Sequence, residues 1–320
     1  MTETTPGSLS AETEKTDCKT FRKNINQLSR TLFFYGLLMF VPLLVFLLFQ
    51  NPDLPEEELY KTAENGWLII AGLCLGMILI LLFRKKEFLS DLTKKNKSMT
   101  ARAFVALFFC FMLAQPFFFA LSGLFEAFLN LFGLTNLEAI EAVSSVSMTF
   151  SMFLYASFLG PIAEEIVFRG AILRFLEKYG KVYAIVVSAI LFGVFHANFT
   201  QSIFAVLVGL VLGYVAIEYS LKWAVLLHVI NNFVFSDLLG RLFEYLDPSA
   251  SDLMLYVIYG IFLVGGIAVL FFGRKQIKSD LSQNKTGKKV WRHTFTAFWT
   301  VVFIAFNLIM ALTGITALAT

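Results

Sequence analysis

The chain is built largely from apolar blocks of roughly 20 residues, which recur along almost all of its 320 positions. A helix needs about 20 mostly apolar residues to cross the hydrocarbon core of a bilayer. Within the blocks the apolar residues are continuous and do not form the 3.6-residue stripe of a soluble amphipathic helix. Charged residues are 15% of the chain, against about 25% in an average soluble domain. The sequence therefore predicts an all-α fold, a polytopic transmembrane helix bundle.

The apolar blocks predict eight or nine membrane spans. The first block follows a polar segment and is too long for the apolar core of a signal peptide, so we interpret it as a retained span. Residues 124–147 fit neither a span nor a simple loop and are open to interpretation as an interfacial helix. The nine blocks are residues 31–49, 66–83, 103–123, 146–162, 183–199, 202–219, 223–239, 253–273 and 294–318.

The basic residues indicate how these spans are oriented. Lysine and arginine accumulate in the short cytoplasmic loops of membrane proteins. If the N-terminus is cytoplasmic, every second connecting segment is basic, and of the 26 lysines and arginines only Lys61 and Arg241 lie elsewhere. The outer segment 51–65 is acidic instead. We therefore predict a multi-pass protein of the cell membrane with a cytoplasmic N-terminus, a bilayer as its surroundings and no nucleic-acid partner.

Ionisable residues inside the spans identify the candidate site, because burying a charge in a bilayer costs about 2.5–3.5 kcal/mol on insertion scales. The first cluster follows Pro161, which lacks a backbone donor and predicts a kinked or restarted helix. Glu165 and Arg169 are four residues apart and can pair. Glu164 is rotated by about 100° from Glu165 and is left free for chemistry. The alternative is that all three form one structural ion-pair network.

Two further clusters contain two of the chain's three histidines. Phe192 and His196 share one helical face near the end of a span. His228 and Asn232 share a face in a later span, which suits two donors aimed at one target. Each cluster taken alone could serve only in helix packing.

Depth in the membrane brings the clusters together. Counting from the predicted cytoplasmic boundaries at 1.5 Å per residue, Glu164, His196 and Asn232 lie about 15 Å deep. His228 lies at about 9 Å, nearer the cytoplasm. The four side chains can therefore converge in one cavity that opens to the cytosol, if their spans are neighbours.

This set of side chains suits amide hydrolysis. A carboxylate beside an imidazole can activate water, and a histidine and an asparagine can donate hydrogen bonds to an oxyanion. The chain has no HExxH, GxSG or GxGD motif, and its three cysteines, Cys18, Cys74 and Cys110, form no ligand or disulfide pattern. We predict no metal or other cofactor, although two histidines and a glutamate leave zinc open as an alternative.

The ordered motifs Glu164-Glu165-xxx-Arg169, Phe192-xxx-His196 and His228-xxx-Asn232 resemble the CaaX protease and bacteriocin-processing (Abi) family of intramembrane glutamate proteases, whose members include Ras-converting CaaX endopeptidases. The resemblance implies that Glu164 and His196 activate water and that His228 and Asn232 form the oxyanion hole. Glu165, Arg169 and Phe192 are then supporting residues. The resemblance also implies that the substrate of this protein is a membrane-associated peptide or protein, as in bacteriocin processing or self-immunity.

The resemblance divides the chain into four parts. Residues 1–30 form a cytoplasmic tail, 31–144 and 241–320 form flanking transmembrane helices, and 145–240 form the catalytic core. Two other functions stay open. One is a non-catalytic membrane regulator of the same family. The other is a transporter with a proton relay through Glu164, His196 and Glu218, although Glu218 is predicted to be interfacial. The oligomeric state is not predicted.

Overall fold

The computed structural model describes residues 11–50, 65–144, 147 and 149–318, and most of them are helical. The acidic segment 51–65, apart from Asn65, and the first ten residues of the predicted tail lie outside this part. The helices are α1 (Ala11–Phe49), α2 (Gly66–Arg84), α3 (Phe88–Thr93), α4 (Ala101–Met112), α5 (Ala114–Asn130), α6 (Leu137–Ser144), α7 (Phe150–Glu177), α8 (Lys181–Phe195), α9 (Phe199–Glu218), α10 (Leu221–Glu244), α11 (Pro248–Gln283), α12 (Lys288–Phe295) and α13 (Phe298–Leu312). The two-residue strands β1 (Leu134–Thr135) and β2 (Thr316–Ala317) pair in an antiparallel manner.

Among the described residues, seven helices are long and apolar enough to cross a membrane, or eight if the bent pair α12–α13 is one span. The prediction of a polytopic all-α bundle is therefore confirmed. The remaining predicted span corresponds to α8, which has 15 residues. At 1.5 Å per residue it is about 22 Å long, shorter than the roughly 30 Å of a bilayer core.

Two helices extend beyond the segments predicted for their spans. Residues 11–30, predicted to be tail, are helical and continuous with the first span in α1. Their apolar residues recur at helical spacing and are buried: Phe21, Ile25 and Leu28. In the second case, α7 runs on from the predicted span 146–162 to Glu177 and does not restart at Pro161. Wider π-helical turns at Tyr155–Leu159 and Ile166–Leu173 flank the proline and keep the helix continuous.

The basic connecting segments gather at one end of the bundle, here called the basic end. Glu218 at the end of α9 forms ion pairs with Lys97 and Lys181. Lys94 Nζ lies 2.8 Å from Glu177 Oε2. The hydrogen bond and charge of Glu218 raise the pKa of Lys97. Glu218 is thus held in an ion network with two lysines at the basic end.

The connecting segments that were predicted to lie outside the cell meet at the end of the bundle opposite the basic end. Strands β1 and β2 pair there, and Glu126 accepts hydrogen bonds from Thr135 Oγ1 at 2.6 Å and from Asn136 N at 2.8 Å. Asn65, at the start of α2, accepts from Ser151 Oγ at 3.1 Å. The alternation of segments derived from the basic residues is therefore reproduced by the fold.

Helices α7, α8 and α9 form the buried centre of the molecule. A Cβ at Gly209 of α9 would lie 3.1 Å from Ala189 Cα of α8 and 3.1 Å from Arg169 Nη2 of α7. Glycine therefore lets α9 approach both helices closely. The close packing holds α7 and α8, which carry Glu164 and His196, in a fixed relation to each other.

Candidate active site

Glu165 and Arg169 form a fully buried ion pair on α7. Arg169 Nη1 lies 2.8 Å from Glu165 Oε1, and neither side chain is exposed. The partnership predicted from the four-residue spacing is confirmed. The guanidinium carbon also lies 4.2 Å from the ring centroid of Phe192 in α8. Arg169 therefore neutralises Glu165 and connects α7 to α8.

His228 of α10 lies between the two adjacent glutamates of α7. Its Nδ1 is 2.9 Å from Glu165 Oε1, and its Nε2 is 3.7 Å from Glu164 Oε2. A carboxylate can only accept, so Nδ1 donates a proton to Glu165. Nε2 then faces the second carboxylate, an arrangement that is favourable when Nε2 or Glu164 carries a proton. The sequence did not predict this link between Glu165 and His228.

Glu164 differs from its neighbour in exposure and in bonding. Its side chain is 21% exposed, whereas that of Glu165 is fully buried. Among the described residues Glu164 accepts no hydrogen bond, and its nearest polar contact is His228 Nε2 at 3.7 Å. Glu165 is thus held by a buried ion pair, whereas Glu164 makes no such bond; the catalytic role expected of Glu164 stays a prediction.

His196 immediately follows α8, where Ala197 adopts a left-handed φ of 48° and ends the helix. Its Nδ1 lies 2.8 Å from the carbonyl oxygen of Phe192. Since a carbonyl only accepts, Nδ1 carries the hydrogen and Nε2 of the neutral ring keeps a free lone pair. The imidazole is therefore oriented as a base, and Glu164 and His228 lie close enough to act on it electrostatically.

Phe192 packs against three residues of the site. Its ring centroid lies 4.7 Å from that of His196 and 6.0 Å from that of His228, edge to face in both cases. Arg169 covers the same ring. The aromatic ring is thereby in contact with both imidazoles and the guanidinium, and its supporting role stays a prediction.

Asn232 is held by a carbonyl that Pro161 leaves free. In the π-helical turn before the proline, Gly160 N donates to Tyr155 O, five residues back. The next donor in this register would be residue 161, but proline has none. The carbonyl of Ala156 instead accepts from Asn232 Nδ2 at 3.0 Å. This contact ties α10 to α7 beside Glu164 and Glu165.

Two amides that the sequence analysis missed extend this contact. Asn231 Nδ2 donates to Asn232 Oδ1 at 3.0 Å, and Gln115 Nε2 of α5 donates to Asn231 Oδ1 at 2.7 Å. Gln115 is a polar residue in an otherwise apolar span and stands next to Pro116. A search for single amides within spans would have found it.

A cavity of about 330 Å³ adjoins the site and is lined by His196 and Tyr155. Its other walls are mainly apolar and come from the second half of α1, the first turn of α2 and α13. This places the cavity towards the end of the bundle opposite the basic end, because α8 carries His196 away from Lys181. Of the four predicted site residues only His196 lines it, so the predicted cytosol-facing cavity shared by all four stays a prediction.

The described residues contain no group of three or more histidine, cysteine, aspartate or glutamate side chains that could hold a metal ion. His228 uses Nδ1 for Glu165, and His196 uses Nδ1 for a carbonyl. The zinc alternative therefore finds no donor set in this part of the chain.

Comparisons with known proteins give two similarities. Residues 146–234 match the family described as type II CAAX prenyl endopeptidase Rce1-like. The chain is 26% identical over 219 residues to the Bacillus subtilis (strain 168) protein named "Putative membrane peptidase YdiL". The aligned region covers 65% of this chain and 86% of that protein. No solved structure matches the chain significantly. The resemblance predicted from the three motifs is confirmed for the segment that carries them, and the similarities support a membrane protease.

Proposed function

We propose that this protein is an intramembrane endopeptidase that hydrolyses a peptide bond of a membrane-associated peptide or protein. The contrast between two adjacent carboxylates carries the proposal: Glu165 is buried and paired with Arg169, whereas Glu164 is partly exposed and accepts no hydrogen bond from the described residues. A carboxylate that accepts no hydrogen bond and lies near an imidazole with a free lone pair is suited to general-base catalysis. The similarity of residues 146–234 to CaaX endopeptidases supports the same interpretation.

Glu164 and His196 activate the attacking water in this proposal. A water molecule between them passes a proton to Glu164 while its oxygen attacks the carbonyl carbon of the substrate. The electron pair of the C=O bond moves to the oxygen and forms a tetrahedral oxyanion. When this intermediate collapses, the C–N bond breaks and the proton passes from Glu164 to the leaving amine. His196 Nε2 accepts the remaining proton of the former water and releases it to solvent, so the products are a carboxylate and an amine, formed without a covalent intermediate.

His228 and Asn232 stabilise the oxyanion. Glu165 accepts from His228 Nδ1 and thereby orients the ring with Nε2 towards Glu164, and in this proposal Nε2 donates to the oxyanion. Asn232 Nδ2 has two hydrogens and gives one of them to Ala156 O, so the second is left for the substrate. Donors that are fixed before the reaction supply the largest electrostatic contribution to this kind of catalysis.

The surroundings of the site suggest the class of substrate. The cavity beside His196 is walled mainly by apolar side chains of α1, α2 and α13. A peptide that partitions into the bilayer can bring an apolar side chain into such a cavity without loss of hydration. Processing of bacteriocin-like or pheromone-like peptides, or self-immunity against them, is consistent with this chemistry. The orientation proposed from the basic residues places the N-terminus in the cytoplasm of a cell whose plasma membrane holds the protein.

The proposal is tested with the purified protein in lipid nanodiscs and a library of apolar peptides, with products identified by mass spectrometry. We expect cleavage that persists when a chelator is present and disappears in Glu164→Ala, because the carboxylate is the proposed base. Products that persist in Glu164→Ala would exclude Glu164 as the base, and the absence of cleavage by the wild-type protein would argue for a non-catalytic membrane regulator.

A further inference from the structure

Three side-chain amides form a hydrogen-bonded chain that ends at the site. Gln115 donates to Asn231, Asn231 donates to Asn232, and Asn232 donates to the carbonyl of Ala156, with donor–acceptor distances of 2.7, 3.0 and 3.0 Å. Each amide accepts through its oxygen and donates through its nitrogen, so the chain has one direction. Gln115 comes from α5, outside the segment 146–234 that resembles the peptidase family.

The direction of the chain decides which atom Asn232 presents to a substrate. An asparagine amide can rotate by 180° and exchange its donor for its acceptor unless its neighbours prevent this. Ala156 O can only accept, which favours the orientation with Nδ2 towards α7. Asn231 favours the same orientation from the other side, because its Nδ2 requires an acceptor on Asn232. Asn231 in turn is oriented by the donor on Gln115.

We propose that Gln115 is a positioning residue that acts through Asn231 to keep the donor of Asn232 directed at the oxyanion, an inference that rests on the proposed endopeptidase function. Gln115 does not touch the reacting atoms. Its contribution comes from a nitrogen that donates, since an acceptor in its place would face the oxygen of Asn231. The conflict would be relieved by rotation of Asn231 and then of Asn232, which would turn an oxygen towards the oxyanion.

Two substitutions separate this role from simple packing. Gln115→Leu removes the donor at every pH and should lower kcat by about three- to tenfold, the value of roughly one hydrogen bond, with KM unchanged. Gln115→Glu introduces a carboxyl that donates when it is protonated and only accepts when it is ionised. Its kcat should therefore be close to that of the wild type at low pH and should fall increasingly below it as pH rises.

The experiment compares the pH profiles of kcat and KM for the wild type, Gln115→Leu, Gln115→Glu and Gln201→Leu, using a peptide that the wild-type protein cleaves. Gln201 of α9 is also half-buried and has no side-chain hydrogen bond among the described residues, so its substitution is the matched control and should leave kcat unchanged. Melting temperatures establish that all variants are folded.

A Gln115→Glu profile parallel to that of the wild type, or Gln115→Leu with wild-type kcat, would overturn the positioning role while leaving the endopeptidase proposal in place. Absence of cleavage by the wild type itself would overturn both. A uniform loss in Gln115→Glu at all pH values would point to packing and would also count against the proposal.

Discussion

Glutamine at His196 is expected to be as damaging to kcat as alanine, whereas glutamine at His228 should retain part of the activity that alanine loses. The two imidazoles are held differently. His196 gives its Nδ1 hydrogen to Phe192 O and keeps a lone pair on Nε2, and its proposed role is that of a base. His228 gives its Nδ1 hydrogen to Glu165, and its proposed role is that of a donor through Nε2. A glutamine amide can replace a donor but cannot take up a proton.

The expected losses in kcat follow from these roles. Removing a general base costs about 10²–10⁴-fold, so both His196→Ala and His196→Gln should fall in this range. Removing one oxyanion donor costs about 10²–10³-fold, which is the expectation for His228→Ala, with His228→Gln lying between that variant and the wild type. Steady-state kinetics of the wild type and the four purified variants give the kcat values that check these expectations. Equal losses for glutamine at both positions would contradict the assignment of roles.

Replacing Arg169 by methionine is expected to have the largest effect on stability. Glu165 Oε1 accepts from Arg169 and from His228, and the side chains of Glu165 and Arg169 are completely buried. Loss of the arginine leaves a buried carboxylate with the imidazole as its partner, and breaking a buried ion pair costs about 3–5 kcal/mol. The free energy of unfolding of the purified protein, measured by denaturant titration in detergent micelles, should decrease by this amount.

Two controls distinguish the buried charge from general damage. Arg174→Met removes another arginine of α7, but its partner Glu177 is 24% exposed and also pairs with Lys94. The loss there should be much smaller. In the double variant Glu165→Leu/Arg169→Met, both charges are removed, and stability should return towards the wild-type value although activity does not. If Arg169→Met unfolded no more easily than Arg174→Met, the account of this pair would be wrong.

The coarse architecture could be read from the sequence because a bilayer imposes it. Apolar length predicted the spans, and the distribution of lysine and arginine predicted which segments share an end of the bundle. Contacts such as Lys94 with Glu177 and Lys97 with Glu218 reproduce that arrangement. Spacing along one helix also predicted the pair Glu165–Arg169, since local geometry alone decides it.

Contacts between helices could not be derived in the same way. Whether His228 would bind Glu164, Glu165 or neither depends on how α10 packs against α7, and spacing within each helix does not determine this. The π-helical turns on either side of Pro161 could not be predicted from the sequence either, because the proline predicted a kinked or restarted helix. They keep α7 continuous and free the carbonyl of Ala156 that orients Asn232.

The length of the first helix also had a signal in the sequence. The burial of Phe21, Ile25 and Leu28 follows from their helical spacing, which extends α1 into the predicted tail. The cavity beside His196 had none, because its walls come from α1, α2 and α13, and depth along single helices does not say where neighbouring helices separate.

The central claim, that Glu164 is the catalytic carboxylate of an intramembrane peptidase, is tested most directly by the cleavage rate of Glu164→Gln. This change keeps the size of the side chain, and Glu164 accepts no hydrogen bond from the described residues, so the fold should be unaffected. The account predicts a melting temperature like that of the wild type and a kcat lower by about 10²–10⁴-fold. A well-folded Glu164→Gln that cleaves the same peptide within a few-fold of the wild-type rate would contradict it.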